Sequence, residues 1–197
     1  MEHQCGIVLL AAGASSRLGS PKQLLVYGRQ TLLQHSIRTA LHTMAQKLVV
    51  VLGAGAAEIQ VEITSDKLSC VVNEQWKEGM ASSIQCGLDY ITSWFPGIQN
   101  VLFMACDQPY VSVELLDKLV TLQKETGSPI VASQYAGTAG IPAIFNKVLF
   151  PELMQLKGDR GARKLITAHP DKVLTVSFPA GEIDIDTGED YRNLQKT

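Results

Sequence analysis

Strong charge of either sign is missing from this sequence. Its 197 residues carry 17 Lys and Arg against 19 Asp and Glu, a formal net charge of −2. A balance that even recruits neither nucleic acid nor a membrane surface, so any polyanionic partner must be held by a local site. Long hydrophobic runs are missing too. No stretch approaches the roughly twenty apolar residues of a membrane span. The Val8–Ala12 run is too short for a secretory leader, lacks a basic approach and flows into a polar loop. Cysteine is sparse: Cys5, Cys70, Cys86 and Cys106 form no C-x-x-C pair and mostly lie in or beside apolar runs. They read as buried free thiols in a reducing cytosol rather than as metal ligands. The four His are scattered without H-x-x-x-H spacing. Internal repeats, low-complexity tracts and linkers are also absent, so residues 1–197 are expected to form a single cytoplasmic domain.

What is present starts near the beginning. Ile7-Val8-Leu9-Leu10-Ala11-Ala12 is continuously apolar, the pattern of a strand buried on both faces. It empties into Gly13-Ala14-Ser15-Ser16-Arg17-Leu18-Gly19-Ser20-Pro21-Lys22. Small residues let a ligand approach the backbone closely, and the loop N–H groups and two cations suit a phosphate. The loop is not a Walker P-loop, because Gly13 is followed by Leu18 and Gly19, with Pro21 before Lys22. Nor does it contain the dinucleotide G-x-G-x-x-G.

Downstream, strands and helices alternate. Thr31 is placed to N-cap a helix through Leu41; Lys47–Leu52 reads as a second buried strand and Ala56–Ile63 as a short helix. Ser69–Asn73 is a third strand, and a helix opens at Gly79 with Ser82 and Ser83 in its first turn, as ordinary capping or as ligand contact. Val101–Cys106 is a buried strand ending in Asp107-Gln108-Pro109. A helix capped by Ser112 follows, then a strand at Pro129–Ser133 and a return loop into a short strand around Gly140-Ile141-Pro142. Val148–Leu156 reads as a helix, and Gly158–Arg163 as a charged turn with Asp159 as N-cap of the next. Arg160 and Arg163 there are either a solvated face or a second anion site. Val173–Val176 is a late strand. In Glu182–Thr187, strand alternation would put Asp184 and Asp186 on one face, as a polar edge or as half of a metal site. The pattern predicts a three-layer α/β/α fold around a mostly parallel sheet with an antiparallel edge.

Three features ask for one explanation: the loop with Arg17 and Lys22, Asp107 at a strand tip, and the Asp184/Asp186 pair. Asp107 falls at the carboxyl edge where open α/β sheets bind ligands. Nucleotidyl transfer needs such parts: cations and amides for a triphosphate, and carboxylates for Mg²⁺, which prefers oxygen.

The run Leu10-Ala11-Ala12-Gly13-x-Ser15-x-Arg17-Leu18-Gly19-x-x-Lys22 resembles the signature loop of nucleotidyltransferases with a Rossmann-like, glycosyltransferase-A-like fold. Within them the chain most resembles the molybdenum cofactor cytidylyltransferases. Gly79-Met80-x-x-Ser83-Ile84, Asp107-Gln108-Pro109, Gly140-x-Pro142-Ala143-x-Phe145, Gly158-Asp159-x-Gly161-Ala162-Arg163 and Asp184-Ile185-Asp186-Thr187 support this in order along nearly the whole chain. The resemblance implies transfer of CMP from CTP to molybdopterin with release of pyrophosphate. It implies nucleotide contacts from Leu10, Ala11, Ala12, Gly13, Ser15, Arg17, Lys22, Ser82, Ser83 and Asp107. Lys22, Arg17 and Asp107 would be catalytic, and Asp107 and Asp186 would hold Mg²⁺. Gly140, Ile141, Pro142, Asp159, Arg160 and Arg163 would face the acceptor, and a molybdoenzyme would be the client. Ala11-Ala12-Gly13 stands where guanylyl-transferring relatives carry Ala-Gly-Gly, which favours CTP. Ile141 stands where many members carry His, which leaves the acceptor open. The alternatives are a relative acting on a sugar phosphate or methylerythritol phosphate, and a non-catalytic molybdopterin-binding chaperone.

Overall fold

Side-chain parity on one strand sets the layers. The computed structural model describes residues 4–159 and 161–196. Strand β1 (Cys5–Ala11) is buried along its whole length. Ile7, Leu9 and Ala11 enter one core, whereas Val8, Leu10 and the following Ala12 enter another. A strand apolar at every position needs cover on both faces. Helices α1 (Leu32–Leu41), α2 (Ala56–Gln60) and α4 (Val113–Thr126) supply it on the first face through Leu33, Ile37, Ile59, Leu116 and Leu119. On the second, α3 (Met80–Trp94), α5 (Phe150–Leu153) and α6 (Arg163–Ala168) contribute Ile84, Leu88, Ile91, Leu153 and Ile166. Helix α3 lies close on the sheet because Gly87 lacks a side chain: a Cβ there would meet Val8 and Val51. The result is the expected three-layer α/β/α fold.

The seven-stranded sheet spreads to both sides of β1. β4 (Lys47–Leu52) and β5 (Ser69–Val72) lie on one side; β6 (Asn100–Ala105) flanks β1 on the other, followed by β8 (Thr138–Asn146), β7 (Ile130–Tyr135) and β9 (Val173–Ser177). Neighbours are parallel except where β8 meets β6 and β7. The antiparallel strand, expected at an edge, is therefore internal. Ala143, Ile144 and Phe145 are fully buried, and the Phe145 ring meets Phe103 edge-on, which is the signature of a central strand. A small hairpin of β2 (Val26–Tyr27) and β3 (Gln30–Thr31) precedes α1.

Several local expectations meet their physical cause. Thr31 caps α1 in a reciprocal box with Gln34, and Ser112 caps α4 by accepting from Leu115 N–H. Helices expected over Ala56–Ile63 and Val148–Leu156 are shorter, ending at Gln60 and confined to Phe150–Leu153 after one 3₁₀ turn. The strand expected at Glu182–Thr187 does not form. A 3₁₀ turn at Pro179–Glu182 leads into irregular chain, anchored where Ile185 N–H donates to the Asp107 carbonyl at 3.0 Å. Ile185 is fully buried against Leu32 and Leu194 of α7 (Gly188–Leu194), while Ile183 is exposed, so the alternation reports burial rather than sheet pairing. Among the described residues no helix is long and apolar enough to cross a membrane.

Candidate active site

The chain proceeds from β1 outward to β4 and β5, then returns to lay β6 on the opposite side of β1. That reversal opens a crevice at the carboxyl ends of β1 and β6, the place where open α/β sheets take ligands. The loop after β1 and Asp107 after β6 meet there.

The loop is shaped from beneath. Ser15 adopts a left-handed φ of 52°, and its carbonyl accepts from the N–H groups of Leu18 (3.0 Å) and Gly19 (3.3 Å). Its Oγ accepts from Lys22 N–H at 3.0 Å, which closes the loop on itself. Gln23 is fully buried, and its Nε2 donates to the carbonyls of Ala11 (2.8 Å) and Gly13 (3.0 Å). Two carbonyls are thus satisfied from inside. Ala12 is buried beside Gly53, where a Cβ would strike the Ala12 backbone, its methyl and Trp76. The carbonyl of Leu10 accepts from Cys106 N–H at 3.3 Å, which joins the two strand ends.

Above the loop lies a cluster of charge. Lys22 Nζ is 2.6 Å from Asp107 Oδ2 and 3.0 Å from Asp186 Oδ1. Arg17 reaches the other Asp186 oxygen at 2.6 Å from the surface. Burial alone would depress the Lys22 pKa, but the charge of Asp107 and hydrogen bonds to both carboxylates raise it, so Lys22 is a fixed cation. Burial pushes Asp186 upward; the Lys22 hydrogen bond and the charges of Lys22 and Arg17 reverse this and hold it below the usual carboxylate range. Asp184 moves the other way, raised by burial and by the charges of Asp186 and Asp107. Cys106 is pushed up to about 12 by burial and the neighbouring Asp107, and is a neutral thiol rather than a nucleophile.

Asp107 and Asp186 converge on one ammonium and offer hard oxygen donors. That suits Mg²⁺, which commonly takes one or two protein carboxylates and completes its shell with phosphate and water. Among the described residues no group of three or more His, Cys, Asp or Glu comes together that could hold a metal ion.

Beside this cluster opens a cleft of about 750 Å³ lined by Asp107, Gln108, Tyr135, Ile141, Arg163 and Asp184, among others. Gly140 and Asp159 also line it, and Pro142 is buried behind, its carbonyl accepting from Ser133 Oγ at 2.7 Å. Arg160 lies outside the described residues. Asp159 does not cap α6, whose N-cap is Ala162. Its carboxylate instead packs at the start of α3: a Cβ on Gly79, which has a left-handed φ of 97°, would strike Asp159 and the Gly158 backbone. Ser82 and Ser83 are brought near the loop end of β5 but are buried and committed. Both hydroxyls accept from Asn73 Nδ2 (2.9 and 3.0 Å), and Ser82 Oγ also bonds the Gln75 and Gly79 carbonyls.

Sequence reasoning missed Gln23, Asn73 and the role of Gln108. Gln108 is buried, and its Nε2 is shared between the carbonyls of Ile141 (3.3 Å) and Gly181 (3.2 Å). The Tyr135 hydroxyl donates to the same Ile141 carbonyl at 3.1 Å. A buried polar side chain inside a motif is the signal that could have found Gln23 and Gln108, but burial is not legible from spacing alone.

Comparison with known proteins bears on this geometry. A family model described as a MobA-like NTP transferase domain matches residues 7–173. The purine catabolism protein PucB of Bacillus subtilis (strain 168) is 30% identical over 199 residues, covering 96% of this chain and 95% of that protein. The nicotine blue oxidoreductase of Paenarthrobacter nicotinovorans is also 30% identical, covering 96% and 92%. A probable molybdenum cofactor guanylyltransferase of Rhodopirellula baltica is 34% identical over 64% of this chain and 59% of its own length. Among solved structures, Rv0371c of Mycobacterium tuberculosis H37Rv is 32% identical with a TM-score of 0.85, covering 98% of both chains. Its homologue from Mycobacterium sp. strain JC1 is 31% identical with a TM-score of 0.87, covering 100% and 98%. A structure of Rv0371C in complex with manganese is 30% identical with a TM-score of 0.82, covering 98% and 99%.

Proposed function

This chain belongs to the MobA-like NTP transferase domain family, and from that premise we propose that it transfers CMP from CTP to the terminal phosphate of molybdopterin, releasing pyrophosphate. The observation that carries the reading is the convergence of Lys22, Asp107 and Asp186 between the small-residue loop and the cleft. An acceptor phosphate oxygen attacks the α-phosphorus in line. The new P–O bond forms as the bond to the β-phosphate bridging oxygen breaks, and pyrophosphate leaves with that electron pair. Positioning and charge neutralisation supply the rate, and no protein nucleophile is needed.

Each residue has a task in this reading. Leu10 to Gly13 and Ser15 present the loop backbone to base and phosphates. Arg17 and Lys22 neutralise the triphosphate, with Lys22 at the α-phosphate. Asp107 and Asp186 would hold Mg²⁺, which when bound withdraws charge from the phosphate oxygens. Ser82 and Ser83 act through the Asn73 turn they brace. Ala12, packed at Gly53 and Trp76, narrows the base pocket in favour of cytosine. Gly140, Ile141, Asp159 and Arg163 line the cleft and would face the acceptor, with Pro142 behind them. Ile141 packs against the second core and lines the cleft, an apolar wall suited to a flat pterin ring. The whole is one domain, at work in the cytoplasm and delivering its product to a molybdoenzyme client. The guanylyltransferase relative supports a molybdenum cofactor acceptor, and the manganese-bound relative supports a divalent ion.

Pyrophosphate release is the test. Purified chain with molybdopterin and Mg²⁺ is expected to release it from CTP ahead of ATP, GTP and UTP. Release only with a sugar phosphate or methylerythritol phosphate would transfer the reading to another acceptor. Molybdopterin binding without release from any nucleotide would make the chain a chaperone.

A further inference from the structure

Both loop cations are already spent on the carboxylates. Lys22 Nζ holds Asp107 Oδ2 and Asp186 Oδ1, and Arg17 holds Asp186 Oδ2. The Lys22 side chain is only 14% exposed, whereas that of Arg17 is 68% exposed, so Lys22 forms the tight half of the arrangement. The same two carboxylates cannot enclose an ammonium and a divalent ion at one point. Two unit positive charges equal the charge of one Mg²⁺, so exchanging one set for the other leaves the carboxylates balanced. What makes the exchange favourable is a second home for the displaced cations, and a polyphosphate provides one.

Resting on the nucleotide reading of this site, we infer that Lys22 closes the Asp107–Asp186 pair to free divalent cations and yields it only when a metal arrives with a nucleoside triphosphate. Lys22 thus has two stations, carboxylate-bound in the free protein and phosphate-bound in the loaded one. The site selects a metal–nucleotide complex over the bare ion. Free metal then cannot prime the site for solvent or for a phosphorylated acceptor arriving alone.

The test needs no turnover. Binding of Mn²⁺ alone is measured by the loss of its free-ion electron paramagnetic resonance signal, for wild type, Lys22→Met and Lys22→Gln, with circular dichroism confirming each fold. Both variants are expected to bind Mn²⁺ at least tenfold more tightly than wild type, and Asp107→Asn in the Lys22→Met background is expected to abolish the gain. Equal or weaker Mn²⁺ binding by both folded variants would overturn the inference. Addition of CTP, ATP, GTP or UTP to wild type separates the two ideas. A tenfold gain in the variants supports the closing of the pair by Lys22 whatever the nucleotide does, while failure of wild type to bind Mn²⁺ with any of CTP, ATP, GTP or UTP would overturn the second, phosphate-bound station and count against the nucleotide reading.

Discussion

The loop half and the cleft half of the site differ in how completely they are satisfied. Around the loop, every charged group has an internal partner: Lys22, Arg17, Asp107 and Asp186 neutralise one another within 3.0 Å. In the cleft, Asp184 is held protonated more readily than an ordinary carboxyl and Arg163 has no ion pair among the described residues, whereas a buried amide oxygen without a partner occurs in both halves, at Gln23 Oε1 and Gln108 Oε1. One half is built to exchange partners and the other to acquire them. The first suits a charged ligand that competes with internal salt bridges. The second suits a ligand that brings its own donors.

The comparison breaks most sharply at Lys22. Lys22→Ala or Asp107→Ala is expected to lower turnover by on the order of 100- to 1000-fold, the scale of losing one preorganised charge-stabilising group. Pyrophosphate release in a variant with an unchanged circular dichroism spectrum measures it, and near-wild-type rates would remove those residues from the chemistry. Next comes Gln23. Gln23→Leu leaves the Ala11 and Gly13 carbonyls without their donor, and should cost about 1–3 kcal/mol in denaturant unfolding. It should also weaken nucleotide binding more than acceptor binding. A variant as stable as wild type would mean that the loop holds its shape without that side chain.

Gln108→Leu probes the other half. The Gly181 carbonyl loses its donor while Ile141 keeps Tyr135. An acceptor KM raised about tenfold, equivalent to about 1.4 kcal/mol, with nucleotide KM unchanged, is the expected split; a change in nucleotide KM instead would erase the distinction between the halves. The smallest effect concerns acid. Asp186 has a depressed pKa when folded, so its stabilising contribution is present above the unfolded value of about 3.9 and is lost as pH falls through the folded one. Asp184 has a raised pKa, so its cost appears as pH rises from that unfolded value through the folded one. Asp186→Asn should therefore flatten the acid limb of a stability profile below about pH 4, and Asp184→Asn should flatten the region just above. Unaltered limbs in both variants would show that neither carboxyl is coupled to folding.

Much of this was legible because it is local. Thr31 with Gln34, and Ser112 ahead of an apolar helix face, announce their caps within four residues. The continuous run at β1 announces two covered faces. Asp107 at the end of another such run points to the right edge of the sheet. What escaped is what depends on distant partners. Strand β8 reads as an edge until Phe145 is seen against Phe103. The alternation of Asp184, Ile185 and Asp186 resembles a strand, yet Ile185 is buried by Leu32 and Leu194, far away in sequence. Gln23 and Gln108 look like ordinary surface residues in a motif until their carbonyl partners appear.

The anchoring of Asp186 has a consequence for the order in which the protein comes into being. The last strand of the sheet, β9, is complete at Ser177. Every strand and both cores' main helices are therefore synthesised before the segment that carries Asp186. That segment is fastened by a satellite cluster of Leu32, Ile185 and Leu194 rather than by the sheet. Lys22 must wait 164 residues for its second partner. A nascent chain on the ribosome can thus own a finished scaffold and a formed loop while lacking the second carboxylate of the candidate site. On the proposed reading, the Lys22–Asp186 pair forms only with the docking of one short helix.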